Sequence, residues 1–553
     1  MSTATRLRRL DENAQITVLE RSGYVSYANC GLPYHIGDVI TDRDALLLQT
    51  PESLHQRFNI DVRVDHDVAE IDRDAKVVRG TDLETGESFE VPYDSLVLSP
   101  GAQPIQLPID GIEQAYFLRN IEDTDELAEA APHARNAVVI GGGFIGLEVA
   151  ENLRFRGMDV TLVEATNQVM APLDPEMISP VHDHLNENGV QVILNDSVAG
   201  IDLNEDEENT VELGSGQVLT TDLVVSAVGV KPETRLAEES GLNISDRGAI
   251  AIDDHFRTSD PNIYALGDAA DKQDALTGER TTLPLAGPAN RQGRRLADIL
   301  ASHTSKASPA GDRPVLGTSI VKIFDLEVGA TGWNEKRLQA DNRPYLAIHT
   351  HPSSHAGYYP GAAPLSLKLL VDPETDQILG AQGVGAEGIA KRIDVIATAM
   401  HGQITASGLS DLELAYAPPF NSAKDPVNML GYLAEAHQDH IVESIQWHEL
   451  QAALDAGATL LDVRSAGEVA QTVIPASTNC NIDNLREYLD NARDDDPLLN
   501  GDVIVHCAVG MRGYLAARLL THAAAERGTT IRVRNLDGGY RTWEAGQKTK
   551  TRS

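Results

Sequence analysis

The residue with the clearest chemical potential is Cys30, which is followed by Gly31 and Pro33. Only three cysteines occur in 553 residues, and the other two, Cys480 and Cys507, lie far along the chain. Redox chemistry at Cys30 would therefore use a single sulfur beside another electron carrier. A predicted strand ends shortly before it, and the glycine and proline place it near a helix start, where a thiol pKa is lowered. The alternative is a small, buried, unreactive side chain.

A second candidate nucleophile, Cys507, follows a buried strand at 503–506 and precedes a predicted helix at 514–521. At such a turn a thiolate is surrounded by backbone N–H groups and lies at the positive end of a helix dipole, which suits a persulfide. Arg512 adds a cation, and four residues separate it from the cysteine. Cysteine phosphatases resemble this loop but have a longer one, so the spacing favours sulfur transfer over phosphate hydrolysis.

A glycine-rich segment predicts a dinucleotide site. A strand at 137–140, the sequence GGGFIG at 141–146, a helix at 147–155 and a strand at 159–164 follow one another. A lone G-x-G-x-x-G is a weak signal, but this order of elements makes it strong. The glycines let the backbone approach a pyrophosphate at the helix N-terminus. Glu164 ends the second strand, where it would bind a free ribose 2′-hydroxyl and repel a 2′-phosphate, so NADH is predicted over NADPH.

Composition limits the classes of partner. The net charge is −38, from 45 basic and 83 acidic residues, and such a surface repels nucleic acid and anionic membranes. No apolar run reaches the length of a membrane span, and no signal peptide opens the chain. Three cysteines without a local partner are typical of a reducing compartment, so a cytoplasmic protein is predicted. The length accommodates three or four domains.

Four segments carry a family resemblance: 26–34 (SYANCGLPY), 226–232 (SAVGVKP), 258–268 (TSDPNIYALGD) and 283–291 (LPLAGPANR). They resemble the single-cysteine pyridine nucleotide-disulfide oxidoreductases, and the coenzyme A-disulfide reductases among them are the most similar. NADH peroxidases and oxidases share the single cysteine but match less well around it. The resemblance implies an α/β fold with two Rossmann-like dinucleotide-binding domains and an α+β dimerisation domain, with FAD and NADH as cofactors and a homodimer as the assembly.

The N-terminal residues raise a question about the flavin site. A helix at 4–10 and a strand at 16–20 form the second half of a βαβ unit. In the family the first half carries a Gly-rich turn for the FAD pyrophosphate. Either the start codon is placed too late or the chain lacks half of its flavin-phosphate site, and the intact downstream motifs favour the first. Glu20 would still bind the adenosine ribose.

The family resemblance also implies individual roles. Cys30 would be the redox-active cysteine, and two tyrosines from the other subunit, matched by Tyr416 and Tyr358 with Tyr359 as an alternative, would reach it. Asp268 would bind the flavin ribityl chain, with a helix N-cap as the alternative. Cofactor contacts are implied at Glu20, Arg21, Ser99, Gly101, Gly141, Gly143, Phe144, Ile145, Gly146, Glu164, Gly229, Gly267, Asp268, Pro284, Ala286 and Phe420. Contacts with coenzyme A as substrate are implied at Arg6, Arg9, Ser26, Asn29, Asn290 and Lys424.

The C-terminal part resembles rhodanese (sulfurtransferase) domains. It carries LLDVR at 460–464, CAVGMRG at 507–513 and NLDGGYRTW at 535–543, although VIPAST at 473–478 lacks the Gly-His that rhodaneses usually place before it. Cys480 is assigned to packing, whereas Cys507 and Arg512 are assigned to catalysis. The predicted domains are FAD-binding at 1–118 and 241–314 (with 301–314 as a linker), NAD-binding at 119–240, dimerisation at 315–435, and rhodanese-like at 440–548.

Three histidines, His349, His351 and His355, invite a metal site. No carboxylate or cysteine follows them at ligand spacing, and the family places a strand and a loop there, so no metal is predicted.

Three functions are compatible with these features. The first is an FAD-dependent NADH:disulfide or persulfide reductase acting on coenzyme A disulfide or persulfide and fused to a sulfurtransferase. The second is an NADH peroxidase or oxidase that cycles Cys30 through a sulfenic acid. The third is a flavin-less sulfur-relay module. The first is favoured because it gives the rhodanese-like domain a role.

Overall fold

The structure is a computed structural model that describes residues 1–203, 209–303 and 311–552. They form two compact units, Met1–Thr166 with Asn188–Gly317 and Asn167–Glu187 with Thr318–Ser553. Residues 304–310 of the predicted linker at 301–314 lie outside the described residues. Every helix within the described ranges is too short or too polar to cross a membrane.

The first unit begins with short helices and strands. The predicted helix at 4–10 and strand at 16–20 are confirmed as α1 and β1, and β1 pairs in parallel with β4. A three-stranded antiparallel sheet of β5, β6 and β7 follows. The elements are α1 (Ser2–Leu10), β1 (Thr17–Leu19), β2 (Ser26–Tyr27), α2 (Leu32–Ile36), β3 (Leu47–Gln49), α3 (Pro51–Phe58), β4 (Asp61–Arg63), β5 (His66–Asp72), β6 (Val77–Asp82), β7 (Ser88–Pro92), β8 (Leu96–Leu98) and β9 (Ala102–Pro104).

A four-stranded parallel sheet in the order β12-β11-β10-β16 forms the centre of the predicted NAD-binding region. The apolar residues of β10 are buried because both faces of the sheet are covered, as a continuous apolar run predicts. The elements are α4 (Ile121–Ala130), β10 (Asn136–Ile140), α5 (Phe144–Phe155), β11 (Asp159–Glu164), α6 (Pro175–Glu187, which belongs to the second unit), β12 (Val190–Leu194), β13 (Val198–Asp202), β14 (Thr210–Leu213), β15 (Val218–Thr220), β16 (Leu223–Ser226) and β17 (Val230–Pro232).

The chain then returns to the N-terminal part of the first unit. The next elements are α7 (Arg235–Glu239), β18 (Ile263–Ala265), β19 (Lys272–Gln273), β20 (Arg280–Thr281) and α8 (Ala286–Leu300). Strand β18 pairs in parallel with β8, and β17 pairs antiparallel with β9. The segment at 258–268 therefore lies beside the strand that precedes Ser99. Phe256, Ile263 and Leu296 are fully buried in the core that these elements share.

The second unit contains an antiparallel sheet in the order β21-β22-β25-β24-β23. Helices α10 and α11 cover it, and Leu367, Leu369, Ile393 and Leu430 fill the core between them. The elements are β21 (Ser319–Ile323), β22 (Leu326–Gly332), α9 (Glu335–Ala340), β23 (Leu346–Thr350), β24 (Leu365–Val371), β25 (Ile378–Gly385), α10 (Ile389–His401) and α11 (Pro426–Gln438).

A parallel sheet in the order β26-β30-β29-β27-β28 completes the second unit. Its last helix, α16, packs along α6, where Asp183 accepts hydrogen bonds from Lys548 and Arg552. The elements are β26 (Glu443–Ile445), α12 (Leu450–Asp455), β27 (Thr459–Asp462), α13 (Ala466–Gln471), β28 (Thr478–Asn479), α14 (Ile482–Asn491), β29 (Gly501–His506), α15 (Met511–Arg527), β30 (Ile531–Leu536) and α16 (Gly539–Arg552).

Candidate active sites

The glycine turn between β10 and α5 has the shape that a dinucleotide needs. Gly141 adopts φ of 101°, and a Cβ there would lie 2.5 Å from the Ala227 carbonyl oxygen. A Cβ on Gly146 would lie 2.0 Å from the Gly141 carbonyl oxygen, so the helix could not approach the strand. A Cβ on Gly143 would meet no atom within 4 Å, so this glycine leaves open space beside the first N–H groups of α5. The turn therefore fits a pyrophosphate.

Glu164, at the end of β11, lies beside this turn. One carboxylate oxygen accepts the Gly142 N–H at 2.7 Å, and the other accepts the N–H and hydroxyl of Thr166, both at 2.8 Å. These bonds orient the carboxylate next to the open face of the glycine turn. That is the position in which an acidic group accepts a ribose hydroxyl.

A second turn follows β18. Gly267 adopts φ of 75°, and a Cβ there would lie 3.6 Å from the Ser99 hydroxyl, which follows β8. The fully buried Lys272 donates to the Gly267 carbonyl oxygen at 2.6 Å and to the Ala270 carbonyl oxygen at 3.3 Å, which fixes the turn.

Asp268 in this turn has a buried Oδ1 that accepts no hydrogen bond from the described residues. Burial raises the pKa of its carboxyl group, and Lys272 opposes the rise. The alternative reading of Asp268 as a helix N-cap is wrong, because the 3₁₀ turn Gly267–Ala269 is capped at Leu266 without a side-chain bond. A buried carboxylate oxygen lacking a donor fits a polyhydroxyl chain such as the ribityl group of FAD.

Cys30 lies in the 3₁₀ turn Asn29–Gly31, directly before α2, and its thiol is exposed. The prediction that the pKa of the Cys30 thiol is lowered is wrong for the protein by itself. Partial desolvation by the surrounding protein raises the pKa of the thiol, and the carboxylates Glu148 and Asp268 raise it further. Helix α2 has only five residues, so its dipole does not outweigh these effects.

Glu148 links this thiol to the dinucleotide turn. It lies on α5, one turn after the glycine motif, and accepts a hydrogen bond from the Tyr34 hydroxyl at 3.3 Å. Burial raises the pKa of Glu148, and the Tyr34 hydrogen bond opposes the rise. The same contact raises the pKa of Tyr34, after the larger effect of burial. Neither residue is recognisable as part of the site from the sequence, because nothing in the sequence places position 34 against position 148.

The two tyrosines predicted to serve the cysteine lie together in the second unit. The hydroxyl oxygens of Tyr358 and Tyr416 are 3.0 Å apart, and this hydrogen bond raises the pKa of Tyr358. Both side chains are exposed, as is Phe420 at 73%. Tyr416 and Phe420 line a cavity of about 500 Å³. Tyr359 instead packs edge-to-face against the His355 ring, with centroids 5.7 Å apart.

Cys507 lies in a formed loop at the end of β29. Its side chain is fully buried, and its sulfur accepts the Gly510 N–H at 3.1 Å. Arg512, in the first turn of α15, donates to both oxygens of Glu468 at 2.8 and 2.6 Å. The Arg512 bonds lower the pKa of Glu468 to about 2. The capping box of Ser465 and Glu468 at the start of α13 is readable in the sequence, but its pairing with Arg512 is not.

Behind the loop, Arg464 and Asp462 form a buried bidentate ion pair with an N–O distance of 2.7 Å. The guanidinium of Arg464 also stacks 4.6 Å from the centre of the Tyr540 ring. His506 is fully buried beside them, and burial lowers its pKa to about 4, so it is neutral. Cys480 packs at the edge of the core beneath the loop.

The predicted coenzyme A contacts are spread over several elements. Arg6 donates to Asp298 on α8 at 2.9 Å, so this guanidinium is already paired, whereas Arg9 on the same helix is exposed. Asn290 and Lys424 are also exposed. Among the other predicted contacts, Glu20 accepts the Ser22 N–H at 3.0 Å. The remaining residues lie at strand ends, turns or helix starts: Arg21, Ser26, Asn29, Gly101, Phe144, Ile145, Gly229, Pro284 and Ala286.

Comparison with protein families identifies the fold. The model of the pyridine nucleotide-disulphide oxidoreductases matches residues 1–293. The chain belongs to this family. The dimerisation domain of the pyridine nucleotide-disulphide oxidoreductases matches residues 318–426, and a rhodanese-like domain matches residues 446–546. The predicted family, fold class and C-terminal fusion are therefore confirmed.

Relatives of this oxidoreductase include two solved structures that match almost the whole chain. Coenzyme A disulfide reductase of Staphylococcus aureus is 36% identical over 434 residues, which cover 78% of this chain and 96% of the relative. The structure of reduced Bacillus anthracis CoADR-RHD is 46% identical with a TM-score of 0.92, covering 99% of this chain and 96% of that one. The NAD-dependent persulfide reductase of A. fulgidus is 36% identical with a TM-score of 0.88, covering 98% and 97%.

A more distant structure matches a smaller share of this chain. The water-forming NADH oxidase of Lactobacillus brevis is 26% identical with a TM-score of 0.73 and covers 79% of this chain and 97% of its own. The oxidoreductase part of the fold therefore also occurs in an enzyme whose named product is water.

Proposed function

We propose that this pyridine nucleotide-disulphide oxidoreductase reduces coenzyme A disulfide or coenzyme A persulfide with NADH, and that its rhodanese-like domain transfers sulfane sulfur. The observation that carries the proposal is the presence of two unlike free thiols in one chain. Cys30 is exposed in the unit that contains both nucleotide turns, and Cys507 lies in a loop with a backbone N–H directed at its sulfur. The name of the S. aureus relative supports coenzyme A disulfide as a substrate, and that of the A. fulgidus structure supports a persulfide.

The residues present fit NADH and the ribityl part of FAD. The turn at 141–146 and Glu164 would hold NADH, and Asp268, with Ser99 and Gly267, would hold the flavin. Bound FAD would supply the transfer of an electron pair from NADH to the cysteine sulfur.

Cys30 would act as the nucleophile. Its thiolate attacks one sulfur of the substrate, so that the substrate S–S bond breaks, a mixed disulfide forms and a thiolate leaves. Tyr416, in its hydrogen bond with Tyr358, would donate a proton to the leaving sulfur. In balance, coenzyme A disulfide, NADH and a proton give two coenzyme A thiols and NAD⁺. Coenzyme A persulfide gives one thiol, hydrogen sulfide and NAD⁺.

The exposed tyrosines favour assembly of the chain into a homodimer. Tyr358, Tyr416 and Phe420 are exposed in the dimerisation domain, and a homodimer would cover them and bring the tyrosines to the cysteine of the other subunit. Arg9 and Lys424 are exposed cations that could bind coenzyme A phosphates, whereas Arg6 would have to leave Asp298 to do so.

A substrate panel tests the proposal. Loss of NADH is followed with coenzyme A disulfide, coenzyme A persulfide, glutathione disulfide, hydrogen peroxide and oxygen, using protein whose yellow colour confirms bound flavin. Both coenzyme A substrates should give the highest kcat/KM. Faster turnover of peroxide or oxygen would overturn the proposal in favour of the activity named for the L. brevis structure.

Cofactor choice is tested separately. Glu164 would repel the 2′-phosphate of NADPH, so NADH should be the better substrate. Glu164→Ala should narrow the ratio of kcat/KM for the two cofactors by about tenfold, since a change of one charge interaction at a binding site is worth roughly 1–2 kcal/mol. Equal use of both cofactors by the unmodified enzyme would contradict the assignment.

A further inference from the structure

His349 on strand β23 and His351 just after it contact the part of the chain that follows β30. The His349 ring Nδ1 lies 2.5 Å from the Asp537 carboxylate, and the His349 backbone N–H donates to the same carboxylate at 3.1 Å. The His351 ring Nε2 lies 2.8 Å from the Thr542 hydroxyl. These histidines belong to the dimerisation domain, and both of their contacts belong to the rhodanese-like domain. They are therefore structural contacts between two domains of the second unit.

The segment between these contacts supports the Cys507 loop. Gly539 adopts φ of 64°, and a Cβ there would lie 2.5 Å from the Cys507 carbonyl oxygen and 2.9 Å from the Gly510 nitrogen. The N–H of Tyr540 donates to the Cys507 carbonyl oxygen at 2.8 Å, and that of Arg541 donates to the Ala508 carbonyl oxygen at 3.0 Å. A displacement of this segment would thus move the loop whose Gly510 N–H is directed at the sulfur.

His349 is held from its other side as well. Its Nε2 lies 3.0 Å from a Glu176 oxygen on α6, and the second Glu176 oxygen accepts the Trp447 indole N–H at 3.2 Å. Glu176 also pairs with the fully buried Lys368, whose ammonium lies 2.8 Å from Asp174.

Three carboxylates of this cluster, Asp174, Glu176 and Glu335, are close enough together to hold a metal ion. The Lys368 ammonium lies among them, 2.7 Å from Glu335, and provides the positive charge that a metal would otherwise supply. The cluster therefore serves as a rigid support behind His349.

The charge state of His349 strengthens its contacts. Burial opposes protonation, but Asp537 and Glu176 outweigh it and raise the pKa of His349 to about 9. Burial holds the pKa of His351 well below its ordinary value, and Arg541 and His349 add to this effect. At neutral pH a buried imidazolium therefore lies between two carboxylates, and removing one member of such a pair leaves an uncompensated buried charge.

We propose that His349 is a positioning residue for sulfur transfer, because through Asp537 and Gly539 it fixes the loop that presents the Gly510 N–H to the Cys507 sulfur. The inference rests on the proposed sulfurtransferase function. His349 belongs to the dimerisation domain, so this domain would help to hold the rhodanese-like site in place without contacting the Cys507 sulfur.

The competing explanation is that His349 only holds the rhodanese-like domain in place. A variant of Asp183 distinguishes this explanation from a positioning role. Asp183 on α6 pairs with Lys548 and Arg552 of α16, so Asp183→Asn weakens the contact of the rhodanese-like domain without touching the Asp537–Gly539 segment. A pure docking role predicts equal effects of Asp183→Asn and the His349 variants. A positioning role predicts an effect of the His349 variants alone.

The experiment uses the full-length, flavin-loaded protein and the variants His349→Phe, His349→Gln and Asp183→Asn. Sulfur transfer from thiosulfate to cyanide should fall in kcat by at least about tenfold in His349→Phe, since a displacement of about 1 Å at a reacting centre costs up to 100-fold. His349→Gln, which retains a donor for Asp537, should recover part of the loss. Asp183→Asn should stay within about twofold, as should NADH-dependent reduction at Cys30 in all three variants.

A second readout follows the thiol itself. In a Cys30→Ser, Cys480→Ser background, the rate of iodoacetamide alkylation against pH reports the Cys507 thiolate. The midpoint should move to higher pH in His349→Phe and stay unchanged in Asp183→Asn. If His349→Phe does not fold, His349→Gln and Asp537→Asn provide the same comparison.

Unchanged alkylation and transfer in folded His349 variants would overturn the inference, as would equal losses in Asp183→Asn. Absence of sulfur transfer in the unmodified protein would instead contradict the proposed function, and the alkylation profile would still test the positioning role.

Discussion

The two reactive thiols differ in how much of their surroundings the chain itself provides. Cys507 is buried, accepts a backbone N–H and lies in a loop held by the Arg512–Glu468 pair and by the segment that follows β30. Cys30 is exposed, and its nearest charged groups are carboxylates that raise its pKa. The C-terminal site is preformed, whereas the N-terminal thiol depends on what binds beside it. Under the proposed function, the preformed site would carry sulfur and the open thiol would perform the redox step.

Removing each of the two thiols in turn gives the largest expected effect on activity. Cys30→Ser should lower NADH-dependent reduction of coenzyme A disulfide by at least about 1,000-fold, because loss of a catalytic nucleophile removes the covalent route. It should leave sulfur transfer from thiosulfate unchanged. Cys507→Ser should abolish sulfur transfer and leave the reduction of coenzyme A disulfide intact. NADH oxidation and thiocyanate formation measure the two activities.

Cys480→Ser is the matched control, and it should change neither activity, since Cys480 packs at the edge of a core. If Cys507→Ser destroyed disulfide reduction in a folded, yellow protein, the two thiols would form one site. The contrast between them would then have no functional meaning.

Tyr416 tests whether the Cys30 side is completed by a second subunit. Tyr416→Phe removes the hydroxyl that lies 3.0 Å from Tyr358, and kcat for coenzyme A disulfide should fall about 100-fold, in the range of a lost general acid. Tyr432→Phe, at another exposed tyrosine on α11, should remain near the unmodified rate. In heterodimers of Cys30→Ser and Tyr416→Phe chains, one site of the two should recover activity. No recovery would contradict a shared site.

A variant of Glu148 tests whether nearby carboxylates set the pKa of the Cys30 thiol. Because the Glu148 carboxylate raises the pKa of Cys30, Glu148→Gln should lower it, and alkylation of Cys30 at pH 7 should be about three times faster. The measurement uses flavin-loaded protein in a Cys480→Ser, Cys507→Ser background. Glu126→Gln, an exposed carboxylate on α4, should have no effect. A slower reaction in Glu148→Gln would mean that Glu148 assists the thiolate by accepting a proton.

The contrast also explains what could be predicted from the sequence. The glycine turn and the Cys507 loop are local motifs, and the structure places both between a strand and a helix, as predicted. The sequence predicts the wrong direction for the pKa shift of Cys30. The carboxylates that raise this pKa, Glu148 and Asp268, are more than 100 residues away in sequence. Local sequence reports the backbone around a thiol but not the charges that folding brings to it.

His349 gives the smallest predicted effect, a pH dependence of stability in the second unit. Its pKa is raised from 6.5 to about 9, so its protonation stabilises the fold fully below pH 6.5. That contribution is lost as the pH rises through 9. The groups around His349 keep their charge states over this pH interval. Lys368 stays charged because nearby carboxylates raise its pKa despite burial. Glu176 stays ionised because its pKa is lowered, and His351 stays neutral because its pKa is lowered by burial.

A group whose pKa is raised from 6.5 to about 9 loses about 2 kcal/mol of its stabilising contribution between pH 7.5 and 9.5. The unfolding temperature of the second unit should therefore fall by about 4–8 °C over this interval, since each kcal/mol shifts a unit of this size by roughly 2–4 °C. His349→Gln has no charge to lose, and its unfolding temperature should change less over the same interval. The difference between the two curves isolates His349 from the cysteines and tyrosines that titrate in the same range. Parallel curves would mean that the imidazole between Asp537 and Glu176 is neutral, and the contrast between a preformed C-terminal site and an open N-terminal one would then rest on packing alone.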